Sequence, residues 1–156
     1  MKTIKVEEVY RLHETAYEEV AGSVSLEEVI EIFAGKPAVR AVFMIDGRKR
    51  YAGMFSRLEL LRWLHIQLFG GKGRREIPIA EFYRLASAKV ARDLMSRDTS
   101  RFSVKEKDSL QVALDLMLDY EEDIIPVVDN DNRVIGDLRL SEILLKAIEV
   151  ARASAA

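Results

Sequence analysis

The chain has 156 residues, 24 basic and 26 acidic side chains, a net charge of -2 and no cysteine. That length builds one domain or two very small ones with a real core, and 49% hydrophobic with 32% charged residues marks a globular chain. The near balance of charge excludes a global field for nucleic acid or membrane, and the missing cysteines exclude disulfides, thiolate metal sites and a thiol nucleophile. The opening "MKTIKVEEVYRLHETAYEEV" has no signal-peptide core and no apolar run nears membrane-spanning length, so a cytoplasmic protein without a membrane partner is expected.

In chain order, "SLEEVIEIFA" spaces Leu26, Val29, Ile30 and Phe33 as a helix behind the cap Ser25. The runs "AVFMI" and "RYAGMF" flank a polar turn at Asp46 and read as an antiparallel hairpin. The next helix, "SRLELLRWLHIQLF", carries Leu58, Leu60, Leu61, Trp63, Leu64, Ile66 and Leu68 on more than one face, so it packs on two sides. "GGKGRREIP" lacks the spacing of a phosphate loop and reads as a flexible linker. Nucleic-acid contact through Lys72, Arg74 and Arg75 is only a minor alternative. "IAEFYRLASA" follows as a connecting helix. "DSLQVALDLMLDY" is a second amphipathic helix, with Leu110, Ala113, Leu114 and Met117 behind Asp108 as its cap. "IIPVV" and "RVIGDL" make a second hairpin around "DNDN", and "RLSEILLKAIEVARA" is the last helix.

The cluster Asp129, Asn130, Asp131, Asn132 invites a calcium reading, which counting removes. With Asp129 at position 1 of a helix-loop-helix site, position 5 is Arg133, position 6 is Val134 and position 12 is Leu140. A turn whose Asn and Asp bond their own backbone fits better. His13 and His65 are the only histidines and neither has a partner at i, i+4; His65, beside Trp63, reads as packed. No serine elbow is present, so no enzyme is expected.

The two hairpins and their following helices run in parallel. Asp46, Gly53 and Glu59 match Asp129, Gly136 and Glu142 at an offset of 83, while Lys5, Val20 and Leu26 match Lys89, Val104 and Leu110 at 84. The chain is thus two copies of one unit of about 60 residues with a loop absorbing the difference. The expected division is repeat 1 at 1–70, linker and connecting helix at 71–88, and repeat 2 at 89–156.

These residues resemble paired cystathionine-beta-synthase (CBS) domains, the CBS pair or Bateman module. The resemblance rests on "KVARDLM", "DSLQVALDLM", "IIPVVD" and "GDLRLSEIL" and covers nearly the whole chain; the first repeat is looser, with "KVEEVYR" and "VFMID". It implies an α+β fold of two tandem repeats, each a small sheet with two helices, packed about a pseudo-twofold axis. It also implies two clefts between the repeats for adenosine-containing ligands such as AMP, ADP, ATP or S-adenosylmethionine. Glu59 and Glu142 would accept both ribose hydroxyls, Ser56 or Ser141 with the helix N-terminus would favour phosphate, and Gly53 and Gly136, beside Met54 and Asp137, would leave room for a base. By the family's arrangement Glu142 is completed by Val20 and Arg40, and Glu59 by Phe102 and Glu122. Both acids are Glu where the family more often has Asp. Arg139 stands at a usual Ser or Thr, and is either a phosphate donor or a surface arginine. The competing role for each acid is simply to complement the helix dipole, worth about 0.3 to 1 kcal/mol.

The resulting expectation is a regulatory module that senses adenosine-containing ligands, without catalysis and without a metal or resident cofactor. The alternative is a dimerisation or partner-docking module with vestigial clefts. A homodimer is expected through apolar helix surface around Trp63, Leu64, Ile143 and Leu144, with an effector protein downstream. A phosphate-bearing ligand is expected to favour the Glu142 cleft, where Arg139 and Arg40 converge, over the Glu59 cleft, which meets Glu122 and Asp123.

Overall fold

The structure, a computed structural model, describes residues 3–10, 15–74 and 76–155. His13 and Arg75, singled out above, lie outside the described residues. Two compact units are present: Tyr17–Arg101 is the first, and Met1–Ala16 with Phe102–Ala156 is the second.

In the first unit β1 (Tyr17–Ala21), β2 (Ala41–Ile45) and β3 (Tyr51–Ser56) form one sheet in that order, with β1 parallel and β3 antiparallel to β2. Helix α1 (Leu26–Gly35) connects β1 to β2, α2 (Arg57–Phe69) leaves β3 directly, and α3 (Ile79–Ala86) follows the glycine-rich loop. The second unit repeats the plan with β4 (Val104–Lys105), α4 (Leu110–Tyr120), β5 (Ile124–Val128), β6 (Val134–Arg139) and α5 (Leu140–Ala155). The central strands "AVFMI" and "IIPVV" are apolar without alternation because each is covered on both faces. Only Val104 and Lys105 pair with β5, at Val127 and Val128, whereas β1 runs five residues along β2. Pro126 accounts for the difference: it has no N–H to offer a longer β4.

Both hairpin turns are built alike. Asp46 Oδ1 accepts the N–H groups of Arg48 at 2.8 Å and Arg50 at 3.0 Å; Asp129 Oδ1 accepts those of Asp131 at 2.9 Å and Arg133 at 3.0 Å. Lys49 and Asn132 take the left-handed conformation at φ 62° and 63°. The acidic turn of the second repeat thus spends its first carboxylate on its own backbone. These bonds favour the charged form and hold the Asp46 carboxyl below its ordinary range.

Helix α1 starts as expected, with Ser25 Oγ accepting the Glu28 N–H at 3.2 Å. In α4 the cap is Ser109, which accepts the Val112 N–H at 3.2 Å, and not Asp108, which instead accepts the Lys105 N–H at 2.8 Å. The structure also refines the repeat alignment. Lys5 bridges Ser109 as Val90 bridges Ser25, so Lys5 corresponds to Val90 and the offset at this end is 85.

Core residues of the first unit include Val29, Val42 and Phe55, with Leu85 of α3 and Leu94 of the segment that follows it. Burying Leu85 completely contributes about 1.5 to 3 kcal/mol and fixes α3 to the unit. Helix α2 is two-sided: Ile66 is buried and Leu60 and Trp63 pack on the core, while Leu58, Leu61, Leu64 and Leu68 are exposed. In α5, Ile143 is buried and Leu140, Leu144 and Ile148 are exposed. The free apolar surface expected around Trp63 and Ile143 therefore lies one helix face away, because those two side chains serve their own units. Among the described residues no helix is long and apolar enough to cross a membrane.

Candidate functional site

The two strand-to-helix junctions, β3 into α2 and β6 into α5, carry the glycine and the acid of each repeat. In the first unit Gly53 stands at φ +149°, and a Cβ there would lie 2.6 Å from Met95 Sδ and 3.2 Å from Thr99 Oγ1. Thr99 Oγ1 accepts the Met54 N–H at 2.8 Å and donates to the Met54 carbonyl at 3.0 Å, so one hydroxyl satisfies both backbone groups of a buried residue. Tyr51 adds a bond from its hydroxyl to the Thr99 carbonyl at 2.8 Å.

Glu59, only 5% exposed, occupies the first turn of α2. Its Oε1 accepts from Arg62 Nη1 at 2.7 Å and from Ser96 Oγ at 3.0 Å, and its Oε2 lies 3.8 Å from Arg84 Nη2. Arg62 is also 3.7 Å from Glu81, and Arg84 donates to the Asp93 carbonyl at 3.0 Å. A buried carboxylate is tolerated here because two guanidinium groups and a hydroxyl replace water.

In the second unit a Cβ on Gly136 would lie 2.7 Å from Cε2 of Tyr10, whose hydroxyl donates to Glu106 at 3.1 Å. The one-residue refinement of the alignment makes Tyr10 the counterpart of Met95. The room at each glycine is therefore filled by a side chain of the same unit, where open backbone for a base was expected. Glu142 is fully buried and its Oε1 accepts the Arg139 N–H at 3.1 Å, closing the first turn of α5. Asp137 Oδ2 accepts the Ala16 N–H at 3.2 Å and lies 3.3 Å from Arg139 Nε. Burial raises the Asp137 carboxyl above its ordinary range, opposed by the nearby Arg139 charge and the backbone donors. Arg139 sits between Asp137 and Glu142, and its side chain is 13% exposed, so it is no surface arginine.

The other expected residues distribute as follows. Met54 is buried, and Ser56 is the N-cap of α2 but makes no capping bond. Ser141 is exposed in the first turn of α5. Val20 is buried in β1 and Arg40 is exposed just before β2, both in the first unit. Phe102, its ring tilted against that of Tyr120 at 4.7 Å, and the half-buried Glu122 belong to the second. Sequence reasoning missed Arg62, Arg84, Ser96, Thr99 and Tyr10. Only Arg62 carried a local signal, three residues after Glu59 on the same helix. His65 packs as expected, half-buried with its ring 5.7 Å from Phe69. Among the described residues no group of three or more His, Cys, Asp or Glu is placed to hold a metal.

The CBS domain profile matches residues 15–66 and 90–149. A CBS domain-containing protein from Thermotoga maritima superposes with a TM-score of 0.73 at 28% identity, over 94% of this chain and 95% of that one. CBSX2, an Arabidopsis thaliana protein solved in complex with AMP, gives 0.67 at 22% identity over 95% and 98%. A CBS domain pair solved with 5'-methylthioadenosine and S-adenosyl-L-methionine gives 0.63 at 15% identity over 91% and 94%. A comparison with curated proteins gives no match. With two profile matches that together span more than half of its length, the chain belongs to the CBS domain family and carries two repeats in tandem.

Proposed function

We propose that the protein is a regulatory module that binds adenosine-containing ligands at the Glu59 and Glu142 junctions and reports their occupancy. The observation that carries this reading is the duplication of one arrangement: a glycine on the last strand and, six residues on, a buried acid in the first turn of the next helix. The complexes of similar folds with AMP, methylthioadenosine and S-adenosylmethionine indicate the ligand class. A carboxylate accepts two ribose hydroxyls well, and the helix N-terminus favours a phosphate. Each acid already has hydrogen-bond partners in its own unit, so a ligand must exchange those partners for its own. That exchange couples binding to conformation. The module turns over no ligand in this reading.

Thermal melting with millimolar AMP, ADP, ATP and S-adenosylmethionine tests it. Stabilisation should grow as RT ln(1 + [L]/Kd) for at least one of them. Flat melting temperatures for all four would remove the proposal.

A homodimer is the second element. The exposed Leu58, Leu61, Leu64 and Leu68 make one stripe along α2, and Leu140, Leu144 and Ile148 make another along α5. Stripes of this kind are unfavourable in water and suit helix-to-helix packing. Light scattering on a size-exclusion peak should give twice the chain mass; a value near 17.8 kDa would exclude the dimer.

A further inference from the structure

We propose that Arg84 of the connecting helix α3 is a latch on Glu59, and that a ligand reaching this carboxylate releases α3. The inference rests on the reading of Glu59 as a ribose-accepting acid and adds the route by which its occupancy is transmitted. Oε1 of Glu59 already accepts two hydrogen bonds, from Arg62 and Ser96, which fill its two lone-pair positions. Oε2 accepts none and is sealed from solvent, as is Arg84 Nη2, 3.8 Å away. An incoming hydroxyl therefore has one oxygen to bond, and Arg84 is the cation paired with that oxygen.

Arg84 does more than neutralise. Its Nη1 donates to the Asp93 carbonyl at 3.0 Å, so one guanidinium joins α2, α3 and the segment after α3. Helix α3 makes a second ionic contact with the same cluster through Glu81, 3.7 Å from Arg62. Apart from these contacts the eight-residue helix is held by Leu85, its one fully buried side chain, and by the partly buried Phe82, and it leaves Ile79 and Tyr83 exposed. A short helix with one deep apolar anchor and two charge contacts to a single acid cluster is poised to loosen when that acid changes partners. Among the described residues the second unit has no counterpart of α3, and Glu142 bonds the N–H of Arg139 in its own chain turn.

Hydrogen exchange on the full chain, with AMP as the probe, tests the latch. Without ligand, Arg84→Gln, which retains a donor for the Asp93 carbonyl, and Arg84→Ala should both speed exchange in residues 79–86 by about three- to tenfold while 124–139 stay unchanged. With saturating AMP the wild-type chain should show faster exchange in 79–86, and both variants should show no further increase. The variants should also bind AMP more tightly, because nothing must be displaced. Unchanged exchange in the ligand-free variants overturns the latch. AMP binding with 79–86 unaffected overturns it too, while leaving the binding reading intact. Absence of AMP binding to wild type and variants alike overturns the binding reading, and the ligand-driven release with it.

Discussion

The junctions at Glu59 and Glu142 share a backbone plan and differ in what satisfies it. In both, a side chain from a segment that leads into a first strand covers the glycine: Met95, ahead of β4, lies over Gly53, and Tyr10, ahead of β1, lies over Gly136. Around Glu59 the partners are charges and hydroxyls brought from afar, Arg84 and Ser96 beside the local Arg62. Around Glu142 close neighbours take part: the acid caps its own helix, and Arg139 lies between it and Asp137. The glycine-to-acid spacing therefore fixes where a carboxylate stands but not its electrostatic state, which depends on the elements each repeat carries beyond the shared plan. Among the described residues, α3 belongs to the first unit alone.

The largest expected difference lies at the glycines. Gly53→Ala forces a side chain into φ +149° and against Met95, whereas Gly136→Ala meets only the Tyr10 ring. Urea unfolding should show a loss of about 3 kcal/mol for the first and about 1 to 2 kcal/mol for the second. Equal losses would mean that the backbone of the two junctions differs less than their dihedral angles indicate.

Thr99→Val probes the first unit, since it removes the hydroxyl that serves both backbone groups of Met54. Unfolding should cost about 1 to 3 kcal/mol less than in wild type, the range for a buried polar group left without its partner. The helix caps sharpen the comparison from the opposite side. Ser25→Ala and Ser109→Ala remove the same bond from equivalent helices and should each cost about 1 kcal/mol. Asp108→Ala should not reproduce the Ser109 loss in helix exchange rates.

The smallest effect concerns pH. Folding raises the Asp137 carboxyl above its unfolded value, so its proton is held more tightly in the native state. That contribution is complete below the ordinary carboxylate range and is lost as pH rises through the raised value. Melting temperatures of Asp137→Asn should accordingly fall less steeply than those of wild type as pH climbs out of the acidic range. A parallel pair of curves would show that Arg139 fully offsets the burial.

Much of this fold was legible because its signals are local. Turn chemistry at Asp46 and Asp129, the apolar runs of β2 and β5, and the helical spacing behind Ser25 each depend on neighbours within a few residues. The errors were local ambiguities. Asp108 and Ser109 are adjacent capping residues that only backbone geometry separates, and a shift of one residue at Lys5 leaves no trace in composition. The site was less legible: Ser96, Thr99 and Arg84 reach the Gly53 to Glu59 junction from 25 or more residues away, with no periodicity to announce them. Likewise, the burial of Arg139 follows from Asp137 and Glu142 on either side of it, which spacing alone does not reveal.

Calorimetric titration of AMP into the wild-type chain, Glu142→Gln and Glu59→Gln tests the central claim most directly, with circular dichroism confirming that each variant is folded. The account predicts saturable binding to wild type, a main event weakened about tenfold or more by Glu142→Gln, as the loss of charge-assisted bonds requires, and a smaller change for Glu59→Gln, whose carboxylate is already engaged by Arg62 and Ser96. No binding to wild type at millimolar AMP, or equal affinity in all three proteins, would contradict it.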